Sequence, residues 1–407
     1  MSVGNKDTQC KMSKNDRLAD VLIATARYGL SIQNPDGSFP PGHNGPWNDT
    51  DTPVRVTAHY AMLYYYAQSL APTNAYSNAM HRACSYLCAM QERCAGGGVQ
   101  CRVNDEKNDC NGLIGQAWAA EPLLYIGIKE CNARYLDCAW SILSKPFYDW
   151  TMHGWCPIEV TGKRLPFCRT VNQQIWFACM RAIALTAGMM DEDAELKDFL
   201  RFLHKLLLLN RRGMPQNIVP VKRSWLNVVR SHMYGGRNVV PELKPTRDAL
   251  TLEKGYASFL LYGLAILEEL TLLKKHACRG VYRRIFKSIK SIALHLPSQR
   301  GNPESFCWSY NPTGLEMAYV ITVFQESGFW RKRFKWMPNA DQWIGMQLES
   351  NLNPESRLMD NQTRDPDILR SRIYEAGRIM SKKRGFQEMK AGDSFSTLNH
   401  GALKSVG

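Results

Sequence analysis

The chain has 407 residues, of which 44% are hydrophobic and 11 are Trp. That is ample for a large core, while no run of eighteen apolar residues occurs to make a membrane span. Lys and Arg outnumber Asp and Glu by 51 to 37, giving a net charge of +14, yet no helix-turn-helix, finger or RNA-binding signature accompanies that charge, so no nucleic-acid partner is expected.

The first thirteen residues are polar and lack the apolar core of a secretory signal, so they are read as a flexible N-terminus on a cytoplasmic protein. The 13 cysteines include no CxxC pair, and Cys84 to Cys88 is a helical spacing. Free thiols, no metal and no cofactor are the expectation.

Apolar periodicity then gives helix almost throughout, in pairs. A helix over 14–32 is followed by the stretch QNPDGSFPPGHNGPWNDTDTP and a second helix over 53–68. The remaining pairs are 75–91 with 111–128, 132–143 with 169–185, 193–209 with 250–270, 278–294 with 312–325, and 339–348 with 365–380. The second helix of each pair is apolar or small on nearly every side, as in VTAHYAMLYYYA and YASFLLYGLAIL, and must be buried all round. The first helices, such as RGVYRRIFKSIKSIALHL, keep a charged face, and the basic runs at 274–290 and 331–335 fall on them or beside them. Six inner helices ringed by six outer ones make a single all-α domain, an (α/α)6 barrel spanning 14–381, followed by a polar, flexible tail over 382–407. The long polar connections all run from outer to inner helix, so they gather at one end and build one mouth.

The stretch over 34–53 cannot be one regular element, because Gly, Pro, Asn and Asp each favour turns. It also holds Phe39, Trp47, His43 and several acids, which suits an ordered loop lining a pocket, with Trp47 and Asp51 facing the cavity. The inner helices start beside polar groups: Asp49 and Asp51, Asp109 and Asn111, Arg169 and Asn172, Glu253 and Tyr256, Tyr310 and Asn311, Arg364 and Asp365. Some of these are ordinary caps, but six such starts around one axis form a polar funnel. Arg55 and His59, four apart, share a face, as do Asn172 and Trp176; Arg372 and Glu375 are also close. Such a set suits a sugar, with Trp against the ring and the polar groups on hydroxyls or a carboxylate.

The segment IGQAWAAEPLLYIG resembles the inner helix of unsaturated glucuronyl hydrolases and of six-hairpin glycosidases more widely, and NQQIWFA and DGSFP resemble segments of sugar 2-epimerases. The resemblance implies an oligosaccharide or polysaccharide substrate and adds Gln116 and Trp118 to the binding residues. Ile114 stands where the glucuronyl hydrolase motif has an arginine. Glycoside hydrolysis needs two carboxyl groups. Asp51 and Asp49 lead, Asp51 being expected to stay ionised above the positive end of its helix. The proton donor would then be Glu121, with Asp109, Glu316 and Asp365 as further candidates. An epimerase or lyase would lean on His59, His153, Tyr256 or Tyr310, and a non-catalytic carbohydrate-binding scaffold is the third class.

Overall fold

The computed structural model describes residues 14–94, 96–104, 106–219, 247–326 and 337–383. The expected flexible N-terminus, the tail beyond residue 383 and the basic run over 331–335 lie outside them. The six inner helices are α2 (Val54–Leu70), α4 (Gly112–Glu130), α6 (Val171–Thr186), α8 (Arg247–Glu269), α11 (Thr313–Glu326) and α14 (Tyr374–Lys383). Each packs on the next, and α14 packs back on α2, which closes the ring. Outside them run α1 (Lys14–Ile32), α3 (Asn74–Arg93), α5 (Ala133–Leu143), α7 (Ala194–Leu206), α10 (Arg279–His295) and α12 (Ala340–Asn351). The described residues also contain two short helices, α9 (Leu272–His276) and α13 (Pro366–Ser371), and a hairpin, β1 (Phe147–Asp149) antiparallel to β2 (Gly154–Cys156). This is the (α/α)6 barrel that the helix pairing predicts.

Burial separates the two rings as composition requires. In α4 every residue from Gly112 to Gly127 is buried, whereas α10 buries Val281, Ile285, Ser288, Ile289 and Ile292 on one stripe and leaves Arg279, Arg283, Lys287 and Lys290 exposed. The closing seam depends on a missing side chain: a Cβ at Gly377 on α14 would stand 2.1 Å from the Tyr66 ring on α2. No helix among the described residues is long and apolar enough to cross a membrane. The cysteines within them are free thiols.

One element differs from expectation. The helix expected over 365–380 is two, α13 and α14, because the chain tightens between them into i→i+3 bonds, Glu375 N–H to Arg372 O and Ala376 N–H to Ile373 O. Arg372 sits at that break, where buried acceptors from Asn311, Glu316 and Glu375 hold its guanidinium. Fixing those contacts outranks one turn of regular helix.

Candidate active site

The opening stretch is held at three points. Asp36 accepts from the Ser38 N–H and hydroxyl at 3.0 and 2.7 Å, making a tight side-chain turn. Phe39 is buried and stacks on Tyr60 of α2 at 4.1 Å. Asp365, which caps α13 by accepting from Ile368 N–H, also accepts from His43 N–H and Gly45 N–H at 3.0 and 2.7 Å, so the last hairpin anchors the first connection. A single 3-10 turn, Gly45–Trp47, follows, bracketed by Asn44 (φ 62°) and Asn48 (φ 50°) in the left-handed region that Asn tolerates. Gly45 itself has φ 58°, and a Cβ there would stand 2.2 Å from the Tyr310 ring.

That turn delivers Trp47 to the rim of a cavity of about 280 Å³ at the mouth. Its indole N–H donates to the Tyr256 hydroxyl at 2.8 Å, and its ring lies 5.1 Å from Phe306. Trp118, Phe259 and Tyr310 supply further aromatic wall, and Asn44, Asn111, Asn172, Gln173, Asn217 and Asn311 supply amides. The Arg55 guanidinium lies over Trp118, 4.0 Å from the ring centre, and donates to Asn44 Oδ1 and the Tyr310 hydroxyl at 2.8 Å each. Arg102 and Lys107 reach the same wall from the second connection, so three cations line the cavity against one carboxylate, Asp49.

Two carboxyls two residues apart meet opposite surroundings. Asp49 is buried, which opposes ionisation. Nevertheless Lys107 Nζ at 2.6 Å, Asn44 Nδ2 at 2.9 Å and nearby Arg102 hold it below the usual carboxylate range. Asp51 is equally buried, but neither of its oxygens has a hydrogen-bond partner among the described residues, and Arg55 comes no nearer than 3.9 Å. Burial, reinforced by the like charges of Asp365 and Asp49, raises it to about 7 despite Arg55. The expectation of an ionised Asp51 is therefore corrected. The helix below it begins on Pro53 with no side-chain cap, and partial charge at the helix end does not offset the lost hydration. Asp51 also lies behind the cavity wall, where Asp49, not Asp51, is a lining residue.

The other expected residues divide into three groups. Trp47, Arg55, Trp118 and Asn172 line the cavity. Gln116 and Arg169 do not. Gln116 accepts from Val99 N–H and donates to the carbonyls of Val99 and Cys110, stapling the second connection to α4. Gln174 does the same for Trp155 one hairpin later. Arg169 donates to Val219 O of the next connection, the one that follows α7. The third group lies deeper on the axis. Glu121 accepts from Arg378 at 2.7 Å and from the Tyr374 hydroxyl at 3.1 Å, a buried ion pair rather than an isolated acid. Arg372 holds both Glu316 and Glu375; burial, with Glu316 adding to it, raises Glu375 to about 8 against the opposing pull of Arg372. His59 is held neutral by burial and by Arg55 and Arg372, and Trp176 stacks on Phe259 at 4.9 Å. Of the candidates for the epimerase reading, Tyr256 and Tyr310 line the cavity, while His153 bonds Asp198 on the outer helix α7. Arg102 and Lys107 were missed, although the segment QCRVNDEKNDCN has the same mixture of turn formers and charge as the first connection.

No family model matches the sequence. Over 374 residues the chain is 30% identical to archaeal glycosylation protein Q of Haloferax volcanii, with 89% of this chain and 97% of that protein covered. The chain belongs to the archaeal glycosylation protein Q family. Among solved structures, this family member is similar to cellobiose 2-epimerase from Spirochaeta thermophila, with TM-score 0.63 and 12% identity over 91% of this chain and 98% of that one. An unsaturated glucuronyl hydrolase from Streptococcus agalactiae gives TM-score 0.56 and 7% identity, with 93% of each chain covered. An α-1,6-mannanase from Salegentibacter, solved with α-1,6-mannotriose, gives TM-score 0.53 and 12% identity over 90% of this chain and 99% of that one. At such identities the likeness is one of fold, the six-hairpin (α/α)6 barrel that those three enzymes share.

Proposed function

We propose that this protein is a carbohydrate-processing enzyme that takes an acidic sugar unit into the mouth cavity and cleaves its glycosidic bond with the pair Asp49 and Asp51. The observation that carries the reading is the cavity wall itself, aromatic rings and amides with three cations against one carboxylate. Aromatic faces suit sugar rings, and surplus cations in a partly desolvated wall favour a carboxylate. Kinship with an archaeal glycosylation protein supports a role in building or remodelling a glycan.

The two carboxyls have separated proton affinities, which is what acid and base roles require. Asp49, held low by Lys107, serves as base or nucleophile, and Asp51, raised to about 7, carries the proton. For that role the Asp51 side chain has to swing past Arg55 into the cavity, and no hydrogen bond from the described residues holds it back. Glu121 is left as a structural partner of Arg378. In an assay of new reducing ends from uronate-containing oligosaccharides, Asp49→Asn and Asp51→Asn should each lower turnover by at least about 10²-fold, the usual scale for lost acid–base catalysis. Full activity in either variant removes that residue from the mechanism.

One observation favours a second reading, epimerisation. His59 is a buried neutral imidazole whose ring nitrogens both lack protein partners among the described residues, as a base acting at a sugar carbon would be. Deuterium incorporated into the sugar from D2O without any new reducing end would decide for it.

A further inference from the structure

Beneath the cavity wall, several polar atoms toward the barrel axis are left unused by the described residues. Both ring nitrogens of His59, the indole nitrogen of Trp176, Asn172 Oδ1 and Glu375 Oε2 are buried without a hydrogen-bond partner among the described residues. They come from three inner helices, α2, α6 and α14. Shared neighbours draw them together. Trp176 stacks on Phe259, over whose ring Arg372 lies at 5.0 Å while bonding Glu375. His59 feels both Arg55 and Arg372 and packs on Trp118. Asn172, Trp118 and Phe259 also line the cavity above, so the two levels adjoin.

An unpaired buried polar group is destabilising, and four such side chains around one barrel axis make a costly arrangement unless a ligand uses them. Their chemistry is that of a hydroxyl-bearing ring: Trp176 donates, Asn172 accepts, and a neutral imidazole does one of each. Below them the axis is closed by the Glu121–Arg378 pair and by Tyr262, which takes a bond from Arg378. A ligand entering from the mouth toward an axis closed in this way has to present a chain end, since a polymer could not run through.

We infer that His59, Asn172, Trp176 and Glu375 form an inner subsite for the hydroxyl-bearing face of a chain-terminal sugar, whose acidic group stays among Arg55, Arg102 and Lys107. The enzyme would accordingly act at glycan ends. This rests on the reading of the cavity as a sugar site, and the test separates the two.

Label the tryptophan indoles with ¹⁵N, assign Trp47, Trp118 and Trp176 by single Trp→Phe variants, and titrate the full chain with sodium D-glucuronate. The expected result is that the Trp176 indole resonance moves along the same saturation curve as that of Trp118, and that Trp176→Phe weakens glucuronate about fivefold, as loss of one hydrogen bond should. Movement of Trp47 and Trp118 with Trp176 unmoved overturns the inner subsite and leaves the cavity standing. If none of the three moves, the cavity reading fails and takes the subsite with it.

Discussion

The acids of the mouth and the acids of the barrel core are held by opposite means. On the barrel axis three glutamates have arginines: Glu121 takes Arg378, and Glu316 and Glu375 share Arg372. At the mouth, Asp49 takes a lysine and two amides, while Asp51 takes no hydrogen bond from the described residues. Glu121–Arg378 and Glu316–Arg372 join parts of the ring far apart in sequence and are most simply explained as structure. An acid left buried without a bond is hard to explain that way, since nothing in folding is gained by it. The contrast separates carboxyls that close the ring from carboxyls available for chemistry.

The comparison breaks first where its cost is greatest. Arg378→Met should destabilise the fold by about 3–5 kcal/mol, because it leaves Glu121 buried and uncompensated. Adding Glu121→Leu should recover most of that loss in urea unfolding. Recovery marks the pair as structural, and a double variant as unstable as the single one would show that Glu121 has further partners of equal weight.

Asp51 should show the opposite sign. Its carboxyl is raised in the folded state, so its stabilising contribution is complete below about pH 4 and is lost as pH rises toward 7. Over that window the loss is up to about 4 kcal/mol. Asp51→Asn removes the titration, so the variant should gain on the wild type in unfolding free energy between pH 5 and 8. Glu375, raised to about 8, adds a slope of the same sign that the variant keeps. Equal pH profiles for the two proteins would mean that Asp51 is ionised in the fold.

Smaller effects sharpen the picture at the cavity wall. Lys107→Met should weaken binding of an acidic sugar about tenfold while leaving a neutral sugar nearly unchanged, with the difference shrinking at high salt. Calorimetry at two ionic strengths checks it, and equal losses for both sugars would make Lys107 only a partner of Asp49. Smallest is Trp47→Phe, which keeps a ring and removes the bond to Tyr256. It should cost about 1 kcal/mol of stability or less, visible as a modest shift in thermal unfolding.

Much of the architecture is legible in the sequence. The helix pairs, their inner and outer assignment and the common end for the long connections follow from apolar periodicity and from which helices keep a charged face, and both are local properties of the chain. The first connection could be singled out for the same reason, since Asn44, Gly45 and Asn48 are turn formers wherever they occur. The protonation of Asp51 could not be read so, because it depends on Arg55, Asp365 and the depth of burial together. Nor could the role of Glu121, whose partner Arg378 stands 257 residues away, or that of Gln116, whose amide is spent on Val99 and Cys110. Arg102 and Lys107 join the first connection's Asp49 only because the ring brings the second connection beside it. Periodicity sets which side of a helix faces inward, whereas electrostatics depends on distances across the barrel, and those exist only once the ring has closed.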